Sequence, residues 1–148
     1  MLCLGVAAGR IAITPERVAI NVDDARIPDN KGRRPVDCPV VRGGPVAYWS
    51  RLPVKAIVAD LRARGVPAEV SQTAGTFLCN HVFYALMHAV RRRAGVRAGF
   101  IHVPAMSETA ASGEASLPLA VLTDATGLML ATILRTRRDR RETGGATQ

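Results

Sequence analysis

Short extended segments alternate with amphipathic helices through the middle of this 148-residue sequence. Residues 52–65 carry apolar side chains at helical spacing, with a proline in the first turn and Gly65 where a helix ends. An extended segment at 66–71 follows, then an amphipathic helix at 78–93 and a strand at 97–104 that stops at a proline. Because neighbouring parallel strands need a crossover connection such as a helix, this order predicts an α/β fold with a mostly parallel sheet.

The remaining segments are less regular. Residues 16–22 alternate and are rich in β-branched side chains, which predicts a strand. Residues 23–45 are dense in Asp, Asn, Pro and Gly, so we expect a long loop of the kind that often carries function. A final helix is predicted at 117–138, after a small and polar connector. We therefore expect a single domain at 1–138 and a flexible tail at 139–148.

The chain is strongly basic, with a net charge of +8 at pH 7 that comes mostly from arginine. The arginines concentrate at 91–97 and 135–148, which is typical of a helix end and a terminal tail. A nucleic-acid binder is the alternative, but no aromatic side chains interleave with either run to stack on bases. No apolar run approaches the roughly 20 residues of a membrane-spanning helix. We therefore expect neither a nucleic-acid partner nor a membrane partner.

The three cysteines are Cys3, Cys38 and Cys79, an odd number at wide spacing, which argues against a disulfide framework. The sequence contains no Cys-x-x-Cys pair and no His-x-x-x-His pair, which are common spacings of zinc ligands. The spacing therefore does not suggest a zinc site, and each thiol needs its own explanation. Cys3 and Cys38 are interpreted as structural or incidental, since Cys38 lies in a loop with no nearby helix start to activate it.

Cys79 lies at the point where a small, polar loop becomes a helix. Backbone N–H groups in the first turn of a helix are unpaired and carry partial positive charge, which favours a thiolate and lowers the pKa of a thiol. Thr73, Gly75 and Thr76 precede the cysteine, and a loop of small residues exposes N–H groups that can hold an oxyanion. The local pattern leaves two interpretations of Cys79, an activated nucleophile or a small buried hydrophobic residue.

His102 adds weight to the first interpretation. It ends the predicted strand just before a proline, and functional groups in open α/β sheets gather at the carboxyl ends of strands. A histidine there can accept a thiol proton and later donate one to a leaving amine. The alternative is a core histidine bonded to a backbone carbonyl. His81 faces away from Cys79 on the helix and His88 is remote from the helix start, so His102 is the predicted general base.

A third group is needed to orient the imidazole of the general base. Glu16 opens the predicted strand directly after a Thr-Pro pair and is the best candidate. Asp23, Asp24 and Asp29 in the long loop are rivals, and spacing alone does not separate these four carboxylates.

Three separated segments of the sequence resemble the pyroglutamyl peptidase I family, whose members are also called pyrrolidone-carboxylate peptidases. The segments are GRIAITPERVAINVDDARIPDNKGRRP, SQTAGTFLCNHVFYALMH and GFIHVP, and they occur in the family's order. The resemblance covers roughly residues 4–104 and continues weakly into the last helix. It implies a three-layer α/β/α sandwich with a twisted, mostly parallel sheet.

The resemblance also implies a Cys–His–Glu triad. Carried over residue by residue, the nucleophile falls on Cys79 in LCN, the general base on His102 in FIHVP and the orienting acid on Glu16 in PERVAIN. Arg26 in DARIPDN matches a family arginine near the active site, which implies a supporting electrostatic role. The implied reaction removes the pyroglutamyl group from N-terminally pyroglutamylated peptides through a thioester. The implied enzyme is cytoplasmic, needs no metal or cofactor, and forms a homo-oligomer, commonly a tetramer.

The pyroglutamyl ring is a neutral lactam, so an apolar slot with a few polar contacts is expected to bind it. We expect Phe77 and the backbone around Val70 and Ser71 to line part of this slot. These three residues are the predicted substrate-binding residues of the site.

The start of the chain differs from the family pattern. The opening MLCLGVAAGR has neither a basic leader nor a long apolar segment, so we expect a strand or loop inside a domain and no signal peptide. Because family chains carry a further strand before this point, we expect the domain to be N-terminally incomplete and to lack that strand. Val6 replaces a glutamine found in many relatives. The alternative to an active exopeptidase is therefore a truncated, inactive remnant that acts only as a binding or oligomerising protein.

Overall fold

The computed structural model describes residues 1–144, in which helices pack on both faces of a mixed central sheet. In chain order the elements are β1 (Leu2–Val6), β2 (Thr14–Pro15), β3 (Val18–Ile20), β4 (Ala47–Trp49), α1 (Val54–Ala63), α2 (Leu78–Val90), β5 (Gly99–Val103), β6 (Ala105–Met106), β7 (Ser116–Leu117) and α3 (Leu119–Arg135). The three predicted helices are confirmed, with ends that differ from the predicted ones by at most three residues.

Strand β5 lies at the centre of the main sheet, between β1 and β2. β1 runs parallel to β5 and places Gly5 opposite His102, while β2 runs antiparallel and places Thr14 opposite the same histidine. Isolated parallel bridges join Ile13 to Ala68 and Glu16 to Ser71, so the predicted extended segment 66–71 lies along the outer side of β2. His102 therefore sits in the middle of the sheet, flanked by a strand on each side.

The two faces of β5 are covered by different helices because successive strand side chains point to opposite faces. Ile101 packs on one face with residues of α1 and α3, namely Ile57, Leu61, Leu122, Met129 and Ile133. Phe100 packs on the other face with residues of α2, namely Phe83, Tyr84, Leu86, Met87 and Val90. These two apolar clusters make the fold a three-layer α/β/α arrangement, as predicted.

The predicted strand at 16–22 is wrong in its extent. Thr14–Pro15 pairs with β5 in the central sheet, whereas Val18–Ile20 pairs antiparallel with Ala47–Trp49 in a separate two-stranded sheet. The chain leaves the central sheet after Glu16 and passes under α2, where Ala19 is fully buried. The alternating pattern is continuous across both pieces, so periodicity alone does not show that the pairing partner changes.

Part of the predicted tail makes defined contacts. The carboxylate of Asp139 accepts hydrogen bonds from the backbone N–H groups of Lys55 and Ala56, at 3.1 and 2.9 Å, in the first turn of α1. Residues 145–148 of the predicted flexible tail lie outside the described residues, and the domain boundary stays a prediction. In the part of the chain that the structure describes, no helix combines the length and hydropathy needed to span a bilayer.

Candidate active site

The buried part of the site is a hydrogen-bonded pair formed by His102 and Glu16. Nδ1 of His102 lies 2.7 Å from Oε1 of Glu16, with His102 5% exposed and Glu16 fully buried. The two residues meet because β2 pairs with β5, and the backbone N–H of Glu16 donates to the carbonyl of Phe100. Since a carboxylate only accepts hydrogen bonds, Nδ1 carries the ring proton and Nε2 is the nitrogen available to a reacting group.

None of the other three candidate acids forms a hydrogen bond to His102 within residues 1–144. Asp23 pairs with the imidazole of His81 at 2.7 Å, on the outer side of α2. Asp29 accepts hydrogen bonds from backbone N–H groups within its own loop. The bond from the backbone N–H of Arg33 is the main reason that the pKa of this carboxyl is lowered. Asp24 is joined through its backbone to Thr76. Of the four carboxylates that spacing could not separate, Glu16 is the one that contacts His102.

Cys79 is the second residue of α2 and its thiol lies over the sheet beside the histidine. A Cβ at position 5 would be 3.2 Å from the Sγ of Cys79, so this sulfur lies directly above Gly5. Gly5 is the partner of His102 in the register of the parallel strands, and adjacent strands are about 4.8 Å apart. Thiol and imidazole are therefore neighbours, although within residues 1–144 no hydrogen bond joins them.

The pKa of the Cys79 thiol is raised above its usual value. Burial is the main cause and the negative charge of Glu16 adds to it, while the positive charge of Arg10 acts in the opposite direction. The sequence-based expectation of a lowered pKa is therefore wrong, because the start of the helix is only one part of the thiol's surroundings. A thiol in these surroundings stays protonated at neutral pH and needs a base before it can react as a nucleophile.

Asn80, which the sequence analysis did not single out, fixes the start of α2. Its side chain is fully buried, and its Nδ2 donates to the carbonyls of Ile20 and Val22 at 2.9 Å each. Its Oδ1 accepts the backbone N–H of Ile20 at 3.0 Å. The signal in the sequence is an amide directly after Cys79, on the face of a helix that is otherwise apolar.

Arg10 was also missed by the sequence analysis. Its guanidinium lies 3.0 Å from Oε1 of Glu16 and donates to the hydroxyl of Thr14 at 2.8 Å and to the carbonyl of Thr73 at 3.4 Å. The only signal in the sequence is an arginine six residues before the glutamate, among small residues.

The structure does not bring the predicted substrate-binding residues together around one cavity. Phe77 lines a cavity of about 470 Å³ with Thr76 and Leu78, next to the long loop. Val70 and Ser71 line a different cavity of about 840 Å³. Their assignment to one slot stays a prediction.

Arg26, the predicted supporting arginine, is exposed in the loop that follows β3. Within residues 1–144 no hydrogen bond connects it to the carboxylate, the imidazole or the thiol of the site. Its supporting role stays a prediction.

A buried carboxylate–imidazole pair beside a thiol at the start of a helix is the arrangement of a cysteine hydrolase. The carboxylate orients the base, and the base can deprotonate the nucleophile. Residues 1–136 match the family described as pyroglutamyl peptidase. The chain therefore belongs to the pyroglutamyl peptidase family, which confirms the resemblance found in the sequence.

Individual relatives agree with this family assignment. The chain is 56% identical over 149 residues to a pyrrolidone-carboxylate peptidase of Klebsiella pneumoniae (strain 342), covering 99% of this chain and 70% of the relative. It is 52% identical over 150 residues to one of Bacillus licheniformis, covering 99% of this chain and 69% of the relative. The chain thus spans about 70% of the length of these relatives.

Solved structures of the same family confirm the fold class. The crystal structure of pyroglutamyl peptidase I from Bacillus amyloliquefaciens matches with a TM-score of 0.91 at 46% identity, over 96% of this chain and 69% of that one. The pyrrolidone carboxyl peptidase from Thermococcus litoralis matches with a TM-score of 0.89 at 36% identity, over 96% of this chain and 70% of that one.

Proposed function

We propose that this chain carries the catalytic site of a cysteine exopeptidase that releases the N-terminal pyroglutamyl group from peptides. The observation that carries the proposal is the 2.7 Å hydrogen bond between His102 and the buried Glu16, beside Cys79. The relatives named as pyrrolidone-carboxylate peptidases support the choice of substrate.

The first half of the reaction transfers the pyroglutamyl group to the protein. Nε2 of His102 takes the proton of the Cys79 thiol while Sγ attacks the carbonyl carbon that joins pyroglutamate to the next residue. The C–S bond forms, the carbonyl electrons move to oxygen, and N–H groups at the start of α2 stabilise the oxyanion. The protonated imidazole then gives its proton to the departing amine as the C–N bond breaks, which leaves a thioester.

The second half of the reaction hydrolyses the thioester. His102 takes a proton from a water molecule, whose oxygen attacks the thioester carbon. The new C–O bond forms, the C–S bond breaks, and the sulfur of Cys79 recovers its proton from the imidazole. Throughout the reaction, Glu16 accepts a hydrogen bond from the Nδ1–H of the ring. It thereby stabilises the imidazolium that forms in each half of the reaction.

The raised pKa of Cys79 affects how the site works. A thiol that is neutral at rest is not a nucleophile until the imidazole removes its proton. Proton transfer therefore requires a hydrogen bond between Cys79 and His102 that forms when substrate is present, since catalytic hydrogen bonds often tighten only in the substrate complex. For the same reason fast alkylation at neutral pH is not expected, and turnover is the decisive measurement.

Hydrolysis of a fluorogenic pyroglutamyl amide tests the proposal. We expect turnover by the chain, and a fall of roughly 10⁴-fold or more in kcat/KM for Cys79→Ser, because the variant lacks the nucleophilic sulfur. Cys38→Ser is the matched control, since Cys38 is an exposed loop cysteine and its replacement is expected to leave kcat/KM unchanged.

Two outcomes contradict the proposal. One is a folded chain with no turnover, which favours the alternative of an inactive remnant that acts as a binding or oligomerising protein. The other is a Cys79→Ser variant with the turnover of the parent chain.

The predicted homo-oligomer is a separate proposal, and light scattering after size-exclusion chromatography measures it. Cytoplasmic localisation stays a prediction from the resemblance.

A further inference from the structure

We propose that Arg10 is a positioning residue of this site, whose guanidinium fixes the carboxylate of Glu16 in the orientation that meets His102. The inference rests on the proposed function, because it gives Arg10 a part in the same site. Arg10 acts through Glu16 and is assigned no contact with substrate.

The carboxylate of Glu16 is held through one of its two oxygens. Oε1 accepts from Nδ1 of His102 at 2.7 Å and from Nη1 of Arg10 at 3.0 Å. Oε2 is buried and has no hydrogen-bond partner among residues 1–144. The orientation of the carboxylate, and with it that of the imidazole, therefore depends on the two bonds at Oε1.

The guanidinium of Arg10 is itself held on two sides. On one side it donates to the hydroxyl of Thr14 at 2.8 Å, in the strand that leads to Glu16. On the other side it donates to the carbonyl of Thr73 at 3.4 Å, in the loop that leads to Cys79. Because a guanidinium is planar and offers five N–H donors in a fixed geometry, one side chain can connect these two segments.

The burial of the pair distinguishes it from an ordinary surface ion pair. Exposed ion pairs contribute little to the free energy of unfolding. Here, however, Glu16 is fully buried and the Arg10 side chain is only 34% exposed. An ionised carboxylate is stable away from water only when it is charge-paired or hydrogen-bonded. Without the guanidinium, the imidazole is the remaining hydrogen-bond partner of the carboxylate among residues 1–144, so a single hydrogen bond is left to fix the carboxylate's orientation.

The charge of Arg10 reaches the nucleophile as well. Burial and the charge of Glu16 raise the pKa of the Cys79 thiol, and the charge of Arg10 opposes them. The charged and titratable groups around this thiol are Glu16 after β2, Arg10 after β1 and His102 in β5. Loss of the arginine is therefore expected to displace the carboxylate and to make the thiol harder to ionise.

Steady-state kinetics of two variants test the positioning role. We expect Arg10→Met to lower kcat by roughly 10- to 100-fold, by analogy with the loss caused by removing a group that orients a metal ligand, with KM changed by less than about threefold. Arg10→Lys keeps the charge but not the planar donor set, so it should recover part of this loss. Arg17→Met is the matched control, because Arg17 lies beside Glu16 in the chain but donates to the carbonyl of Gly144.

A milder variant keeps the test informative if Arg10→Met does not fold. Thr14→Val removes one acceptor of the guanidinium and leaves the triad side chains intact. It should lower kcat in the same direction as Arg10→Met, by a smaller factor and with KM unchanged. Circular dichroism and thermal unfolding establish that each compared variant is folded.

Alkylation of Cys79 gives a readout that needs no turnover. The rate of iodoacetamide labelling is measured against pH, with the labelled cysteine identified by peptide mass spectrometry. We expect the pH midpoint of labelling to move upwards in Arg10→Met and to stay in place in Arg17→Met, because a positive charge beside the thiolate has been removed.

Three results overturn the inference: a folded Arg10→Met variant with the kcat of the parent chain, a loss that appears only in KM, or an equal loss in Arg17→Met. Absence of turnover in the parent chain would instead contradict the proposed function. In that case the labelling midpoints alone decide the inference, and an unchanged midpoint in Arg10→Met overturns it.

Discussion

At the residue scale, Gly5 shows how closely the site is packed. It lies opposite His102 in the parallel register, and the face of the sheet at this point is occupied by the Phe100 ring and the Cys79 sulfur. A Cβ at position 5 would lie 2.7 Å from the phenyl ring and 3.2 Å from Sγ. The absence of a side chain at this position is what allows the thiol to rest against the sheet beside the imidazole.

We expect Gly5→Ala to reduce both the activity and the stability of the protein. The added methyl group must displace the Phe100 ring or the sulfur of Cys79, at a cost of about 1–3 kcal/mol in the free energy of unfolding. Displacement of the proposed nucleophile, Cys79, by about 1 Å should lower kcat/KM by roughly 100-fold. Denaturant unfolding and the fluorogenic assay measure the two effects.

Gly127→Ala is the control for this prediction. Gly127 lies within α3 with open space where a Cβ would be, so alanine should stabilise the protein by about 0.5–1 kcal/mol and leave kcat/KM unchanged. A Gly5→Ala variant with the stability and kcat/KM of this control would show that the close contact between position 5 and Cys79 affects neither quantity.

At the scale of elements, the position of α2 decides where Cys79, the proposed nucleophile, lies. The helix begins at Leu78 without a side-chain cap, so its start is fixed by tertiary contacts. Asn80 makes three of these contacts, to the backbone of Ile20 and Val22, and its side chain is closed off from water. Asn80, the residue after Cys79, therefore attaches the helix to the strand segment beneath it.

We expect Asn80→Ala to destabilise the protein by about 2–4 kcal/mol, because it leaves one N–H and two carbonyl groups without their buried partner. Denaturant unfolding measures the change in the free energy of unfolding. Asn30→Ala, at an exposed position in the long loop, should change the same quantity by about 0.5 kcal/mol or less. Equal effects of the two substitutions would contradict this assignment.

At the scale of the whole molecule, stability depends on both helical layers. α1 and α3 pack against each other and against Ile101 on the side of the sheet away from the site, where Met129 is fully buried. This layer contains none of the proposed catalytic residues, yet it closes the face of β5 that lies behind His102. It therefore supports the site without taking part in the chemistry.

We expect Met129→Ala to lower the free energy of unfolding by about 2–5 kcal/mol through the cavity that it leaves. kcat should remain unchanged at temperatures where the variant is folded, since the substitution is on the face opposite to Cys79. Leu130→Ala is the matched control, because Leu130 is the next residue of the same helix and is 45% exposed, compared with 0% for Met129. A specific loss of kcat in folded Met129→Ala would show that this layer acts on the site directly.

Several features of the protein follow from the sequence by itself. The spacing of apolar residues, with glycine and proline at the ends, determined the three helices and the central strand that contains His102. The small residues before Leu78 located the start of α2, and with it Cys79 in the first turn. These features are local, because helix periodicity and turn chemistry involve residues within a few positions of each other.

The tertiary structure decided the features that depend on distant contacts. Spacing did not separate Glu16 from its three rivals, and the family resemblance only implied its role; the direct observation is its hydrogen bond to His102, which lies 86 positions further along the chain. The roles of Arg10 and Asn80, and the raised pKa of Cys79, likewise arise from burial and from neighbours on other elements. Burial and charge act through space, so no local pattern in the sequence specifies them, and only the packing of β2, β5 and α2 makes them visible.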